Sequence, residues 1–294
     1  MLKAFAADSA SVGVNRLDAV SPGAQKKYGR LKEILQGMRS VVVAFSGGVD
    51  STFLLKAAFD ALGEKTAAVT ATSPTYPDRE LNEAKKLAVL IGARHIVFES
   101  NELLIPNFSE NTEKRCYFCK SELFAIAFEK ARQMGFECLA DGSNADDLKD
   151  YRPGRAAAKE LGVRSPLQEA GLSKSEIREL SCALQLPTWN KPAFACLSSR
   201  FPYGTKITEE RLSKVQRGED LLALLGFRQF RVRYHGDSVR IEADPCEMNR
   251  LLDEVLRKKI IAGFKEIGFI YVTIDLEGYR TGSMNEALRK ETEQ

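Results

Sequence analysis

Val41-Val42-Val43-Ala44-Phe45-Ser46-Gly47-Gly48-Val49-Asp50-Ser51 begins as an unbroken apolar run and ends in two adjacent glycines framed by serines. Residues 41–45 read as a buried strand, and residues 51–62 as the helix that follows it. Where such a strand hands over to a helix, unpaired backbone N–H groups and the positive helix end converge on one point, so an anion fits there. Gly47 and Gly48 let the backbone approach phosphate closely, and Ser46 and Ser51 add hydroxyl donors. Asp50 can hold the Mg2+ that accompanies pyrophosphate. Together with Val49, these residues form the candidate ATP-binding loop. It lacks the Gly-Lys-Ser/Thr of a Walker loop and the G-x-G-x-x-G of a dinucleotide site. The bland alternative is a glycine-rich turn that binds nothing.

Outward from this loop, short apolar runs alternate with helical segments, the signature of βαβ units and a parallel sheet. Residues 26–38 precede it as an amphipathic helix. Beyond it the pattern predicts a strand at 66–71, a helix at 78–91, a strand at 95–99, a helix at 119–134 and a strand at 137–140. Ser173-Lys174-Ser175-Glu176 fits a capping box that opens another helix, ending near Leu186-Pro187. Residues 26–204 are therefore expected to form one doubly wound, Rossmann-like α/β domain that binds ligands at the carboxyl edge of its sheet. Residues 205–285 follow a different rhythm. They predict a helix at 208–225, a hairpin of strands 229–234 and 238–243 around His235-Gly236-Asp237, a helix at 247–267 and a strand at 269–276. That is a smaller α+β domain, suited to substrate binding or oligomerisation. Residues 1–25 show no sustained period and read as a loose arm, and 286–294 as a tail.

The chain has 294 residues, 44% of them apolar, enough for a large core. With 43 basic and 40 acidic side chains the net charge is only +3, so no global field draws it to nucleic acid or to a membrane. No segment approaches the apolar length of a membrane span, and the first residues lack a signal-peptide core, so the expectation is a cytosolic protein with neither partner. Six cysteines do not make a disulfide scaffold in a chain of this size.

Further strings narrow the reading: Asp141-Gly142-Ser143-Asn144-Ala145-Asp146-Asp147, Asp150-Tyr151-Arg152-Pro153-Gly154 and Ser198-Ser199-Arg200-Phe201-Pro202-Tyr203-Gly204. Taken alone, SGGVDS after an apolar strand resembles the pyrophosphate loop of the N-type ATP pyrophosphatases, among them GMP, NAD and asparagine synthetases and several thiolases. With the other strings, residues 26–285 resemble the sulfur transferase that prepares the pincer ligand of the nickel cofactor of lactate racemase. The resemblance implies adenylylation of the carboxylates of a pyridinium dicarboxylate mononucleotide, derived from nicotinate, and their conversion to thiocarboxylates. It also implies a homo-oligomer. On this resemblance Ser199, Arg200, Arg231, Arg233 and Glu219 are substrate residues, with Arg200, Asp50 and Cys196 catalytic. Read without it, the three arginines could grip phosphate or carboxylate bidentately, or Arg231 and Arg233 could form an exposed strand face of solvated charge. Asp141, Asn144, Asp146, Asp147 and Asp150 follow the fourth strand, where they could serve a ligand or simply shape a turn; Glu169 is a weaker candidate.

Cys116 and Cys119 form a C-x-x-C pair near a helix start, and Cys196 lies just before Ser198-Ser199-Arg200. Three thiolates could hold a [4Fe-4S] cluster with one iron free to carry sulfide, replenished by a sulfur-donor protein. Some members of the resembled family instead surrender the sulfur of one cysteine. That form usually lacks the C-x-x-C, and Cys196 stands one place after the sacrificial position. A redox disulfide at Cys116 and Cys119, or packing alone, also fits the residues. Zinc lacks a fourth ligand, since His95 and His235 read as structural. Cys138 reads as a strand-core residue, Cys182 as helical and Cys246 as partnerless. Other functions of the same loop are a tRNA thiolase, an amide-forming synthetase, or a regulator that binds nucleotide without catalysis.

Overall fold

In the computed structural model, residues 16–149, 153–280 and 282–283 are described. Residues 1–15 of the expected arm, Asp150, Tyr151 and Arg152, and the tail at 286–294 lie outside the described residues. The first helix, α1 (Pro22–Gly37), begins ahead of its expected start at residue 26, with Pro22 at the position where a missing N–H costs nothing. It buries Ala24, Tyr28, Leu31 and Leu35.

Four strands follow in one parallel sheet, ordered β3-β2-β1-β4: β1 (Val41–Ala44), β2 (Thr66–Thr72), β3 (Arg94–Glu99) and β4 (Cys138–Ala140). Helix α2 (Val49–Leu62) joins β1 to β2, α3 (Asp78–Ile91) joins β2 to β3, and α4 (Arg115–Gln133) leads into β4. Alternation along β1 sends Val41 and Val43 into a core shared with α1, α2 and α3, while Val42 faces Phe124, Ala127 and Ala131 of α4. Helices thus cover both faces, as the apolar strands require. Beyond β4 come α5 (Pro153–Glu160), α6 (Pro166–Glu169) and α7 (Lys174–Ala183). The capping box predicted at Ser173 and Glu176 is present, and α7 stops three residues short of Leu186. Neither α5 nor α6 was anticipated, both being too short to show a period. Because β2 and β4 flank β1 on opposite sides, the carboxyl ends of β1 and β4 frame the topological switch point.

The smaller lobe has α8 (Glu209–Leu224), the hairpin β5 (Phe230–His235) and β6 (Ser238–Ala243), α9 (Met248–Leu252), α10 (Glu254–Ile267) and β7 (Tyr271–Ile274). β5 and β6 are antiparallel, and β7 adds to β6 in parallel. The helix expected over 247–267 is broken at Asp253, which leaves helical geometry (φ −56, ψ 131) and caps α10 by accepting from the Leu256 amide. The lobe's core takes in Phe108, Leu197 and Phe201 from ahead of residue 205. Among the described residues, no helix is long and apolar enough to cross a membrane.

Candidate active site

Gly48 stands at the N-cap of α2, and Gly47 takes φ +64, where a Cβ would lie 3.2 Å from Ala84. Only glycine fits such a turn without strain. Ser51 Oγ accepts from the Ser46 amide (3.2 Å) and lies 3.1 Å from Ser46 Oγ, so the two serines close the loop across its base. The Ser46 and Gly47 carbonyls are taken from outside by Tyr76 Oη (2.9 Å) and Lys191 Nζ (3.2 Å). Gly142, at the end of β4, sits so close that a Cβ there would come within 3.0 Å of the Ser51 amide. The loops after β1 and β4 therefore share the switch point.

Asp50 lies in the first turn of α2, its Oδ2 2.5 Å from Lys174 Nζ and its Oδ1 3.5 Å from Asn144 Nδ2. Lys174 is itself fixed, its amide donating to Asp146 Oδ2 at 2.8 Å. Sequence reading missed Lys174 because a lysine at a helix start looks like surface charge. The only signal was its place in the capping box. Asp141 accepts from Ser143 Oγ (2.7 Å) and Ser165 Oγ (2.7 Å), and Asp147 Oδ2 from the Asn144 amide (2.9 Å), so both shape the turn. Glu169 pairs with Arg164 at the surface. His95 bonds Thr70 Oγ1 at 2.8 Å inside the sheet, and burial followed by Lys85 pulls it below the usual imidazole range. His235 ends β5, likewise lowered by burial and by Arg240. Cys138 lies in β4, while Cys182 and Cys246 are exposed.

A second constellation lies where the two lobes meet. Arg200 has no exposed surface: Nε and Nη2 grip Glu219 at 2.7 and 3.0 Å, and Nη1 donates to the Ala195 (2.6 Å) and Cys196 (3.1 Å) carbonyls. Arg79 of α3 reaches the same carboxylate at 3.2 Å. Burial alone would push Glu219 up, but Arg200, with Arg231 and Arg79, holds it below the usual carboxylate range. Arg233 grips Glu242 (2.8 and 2.7 Å) and the Ser199 carbonyl (2.7 Å). Arg231 donates to the Phe230 and Ala193 carbonyls at 2.6 Å each and stacks on Tyr279. Burial, then repulsion from Arg200, lowers it to about 10. Arg231 and Arg233 are 7% and 4% exposed, so the solvated strand face considered for them does not exist. Four arginines, Arg79, Arg200, Arg231 and Arg233, meet Glu219 and Glu242 here, and among the described residues Arg231 makes no salt bridge, which leaves a local excess of positive charge.

Cys116 and Cys196 lie near Arg115, the first residue of α4, and Cys119 follows Cys116 one turn along the same helix. Arg115 Nη2 lies 3.9 Å from Cys116 Sγ; burial opposes its charge, but Cys196 and Cys116 raise it above its ordinary value. Cys119 is pushed well up by burial first, then by Cys196 and Glu102. Among the described residues, no three His, Cys, Asp or Glu side chains are disposed to hold a metal ion. The thiols are neighbours without forming a ready-made ligand set.

Fold and site together have the form of a phosphate-loop α/β enzyme. No family model matches the chain. It is 45% identical over 266 residues to an uncharacterized protein of Synechocystis, covering 90% of this chain and 99% of that one. It is 38% identical over 265 residues to the pyridinium-3,5-bisthiocarboxylic acid mononucleotide synthase of Lactiplantibacillus plantarum, covering 90% of this chain and 95% of the synthase. Over 121 residues, 36% of this chain and 33% of the relative, it is 31% identical to a tRNA-specific 2-thiouridylase of Treponema denticola. The chain belongs to the family of the pyridinium-3,5-bisthiocarboxylic acid mononucleotide synthase, a sulfur-transferring branch of the phosphate-loop enzymes.

Proposed function

We propose that this chain activates carboxylates of a pyridinium dicarboxylate mononucleotide with ATP and converts them to thiocarboxylates. The observation that carries the reading is the Ser46–Ser51 turn at the switch point, with Asp50 in its helix and two family-length relatives behind it. A carboxylate resists sulfur because oxide is a poor leaving group. Its oxygen attacks the α-phosphorus of ATP, pyrophosphate departs, and a sulfur nucleophile then displaces AMP from the acyl carbon. Loop amides and Ser51 receive the pyrophosphate. Asp50 would take up Mg2+ in exchange for the Lys174 ammonium, which is then free for phosphate. Arg231 and Arg233, with Ser199 and Arg200 fixing the segment over them, supply the positive excess for the substrate's phosphate or carboxylates. Glu219 acts as counter-ion rather than as a contact.

For sulfur delivery we assign Cys116, Cys119 and Cys196 as one corner. A [4Fe-4S] cluster suits three thiolates chemically, and would require them to converge from where they stand. Under anaerobic conditions the protein should form AMP with the mononucleotide and Mg2+. AMP from unmodified tRNA with none from the mononucleotide would overturn the assignment. Iron in the anaerobic protein, lost in Cys116→Ala, Cys119→Ala and Cys196→Ala, is expected. An iron-free protein whose Cys196 loses one sulfur mass on turnover would replace the cluster with a sacrificial cysteine.

A further inference from the structure

The turn that makes Gly47 and Gly48 useful also makes them unreliable. A peptide flanked by glycine rotates with little steric penalty, and a rotated peptide would present a carbonyl oxygen to the phosphate instead of an N–H. In a trans peptide the C=O and N–H point to opposite sides, and the described residues contain no cis bond. The Ser46 carbonyl and the Gly47 amide therefore share one rigid plane, as do the Gly47 carbonyl and the Gly48 amide. Whatever holds the two oxygens sets the direction of the two N–H groups.

Two side chains from distant elements hold them. Tyr76 Oη, from the segment leading into α3, donates to the Ser46 carbonyl at 2.9 Å. Lys191 Nζ donates to the Gly47 carbonyl at 3.2 Å. We propose that Tyr76 and Lys191 are positioning residues of the phosphate loop, which hold these carbonyls outward so that the Gly47 and Gly48 amides face the pyrophosphate. The proposal deepens the ATP-dependent reading given above and rests on it.

Lys191 is built for this part rather than for meeting phosphate itself. Its ammonium is matched by Glu80 and Glu83 at 2.8 Å each, and its side chain is 13% exposed. Its own backbone is tied down, with the Trp189 and Lys191 carbonyls accepting from Arg178 at 2.7 and 2.9 Å. Burial first, and then the same Glu80 and Glu83, push Tyr76 far above ionisation at neutral pH, which keeps its hydroxyl a donor.

The test is calorimetric titration of the full chain with magnesium pyrophosphate, alongside steady-state AMP formation. Tyr76→Phe and Lys191→Met should each weaken magnesium pyrophosphate by roughly five- to tenfold, the scale of one lost hydrogen bond, while KM for the mononucleotide holds. Lys191→Arg, which keeps a donor and the charge, should recover most of the loss. Tyr76→Phe leaves Glu80 and Glu83 paired, so it stays informative if Lys191→Met fails to fold. Unchanged pyrophosphate affinity in folded Tyr76→Phe overturns the proposal. A wild-type chain that binds magnesium pyrophosphate yet makes no AMP from the mononucleotide sinks the substrate reading and leaves this one standing. Absence of pyrophosphate binding by the wild type defeats both.

Discussion

Arg200 and Glu219 make a buried ion pair in which Arg200 supplies the bidentate grip and Arg79 a single further contact. Arg200→Met should lower stability by about 3 kcal/mol in denaturant melts, because the buried carboxylate loses its bidentate partner and keeps only Arg79. The pair also sets an acid limit. Glu219 titrates below its ordinary 4.5 in the folded chain, so its stabilisation is complete above that value and is lost as pH falls through the folded one. Stability measured downward from neutral pH should therefore decline below about pH 4.5, and Arg200→Met should shrink that decline. At this scale the sequence was legible where residues act as neighbours and opaque where they act across the chain. Ser46 to Ser51 lie in one turn. Lys174 meets Asp50 across 124 positions, and Lys191 meets Gly47 across 144, with no local pattern to announce either. Arg231 and Arg233 were legible as one strand face by their spacing. That Ala193 and Ser199 carbonyls roof that face was not.

Helix packing in the smaller lobe depends on the absence of side chains. A Cβ on Gly218 of α8 would stand 2.6 Å from the Phe264 ring of α10 and 3.2 Å from Val232 of β5. Gly218→Ala should cost about 1–3 kcal/mol through overpacking, read as a lower denaturant midpoint at unchanged slope. Existence and type of the longer elements followed from apolar period alone, and α3 begins and ends where its pattern does. The break at Asp253 was hidden because apolar residues continue in helical spacing on both sides of it. Only its backbone turn and the bond from the Leu256 amide mark it as a cap. The start of α4 at Arg115 rather than residue 119 matters for chemistry: it puts Cys116 and Cys119 together in the first turns of one helix.

Across the whole molecule, the lobes are joined by buried chain rather than by a linker. Phe108, 2% exposed, is planted in the smaller lobe's core, and the Leu197 amide there donates to the Thr75 carbonyl of the larger lobe (2.9 Å). Phe108→Ala should cost about 3–5 kcal/mol and leave the chain unfolding in separated steps by differential scanning calorimetry, where the wild type gives one transition. Composition had marked a change of rhythm near residue 205, but period carries no information about which loop fills which core.

Arg115 offers a last consequence. Its Nη1 bonds the Ser198 carbonyl (2.9 Å) and the Asn111 side chain, and Asn111 Nδ2 holds the Phe201 (3.3 Å) and Pro202 (2.7 Å) carbonyls. The two segments that carry the thiols are thus fastened by nitrogen and oxygen, with no sulfur in the joint. Such a corner is modular: a cysteine can be lost or shifted by a place while the Arg115 and Asn111 bonds of its frame remain.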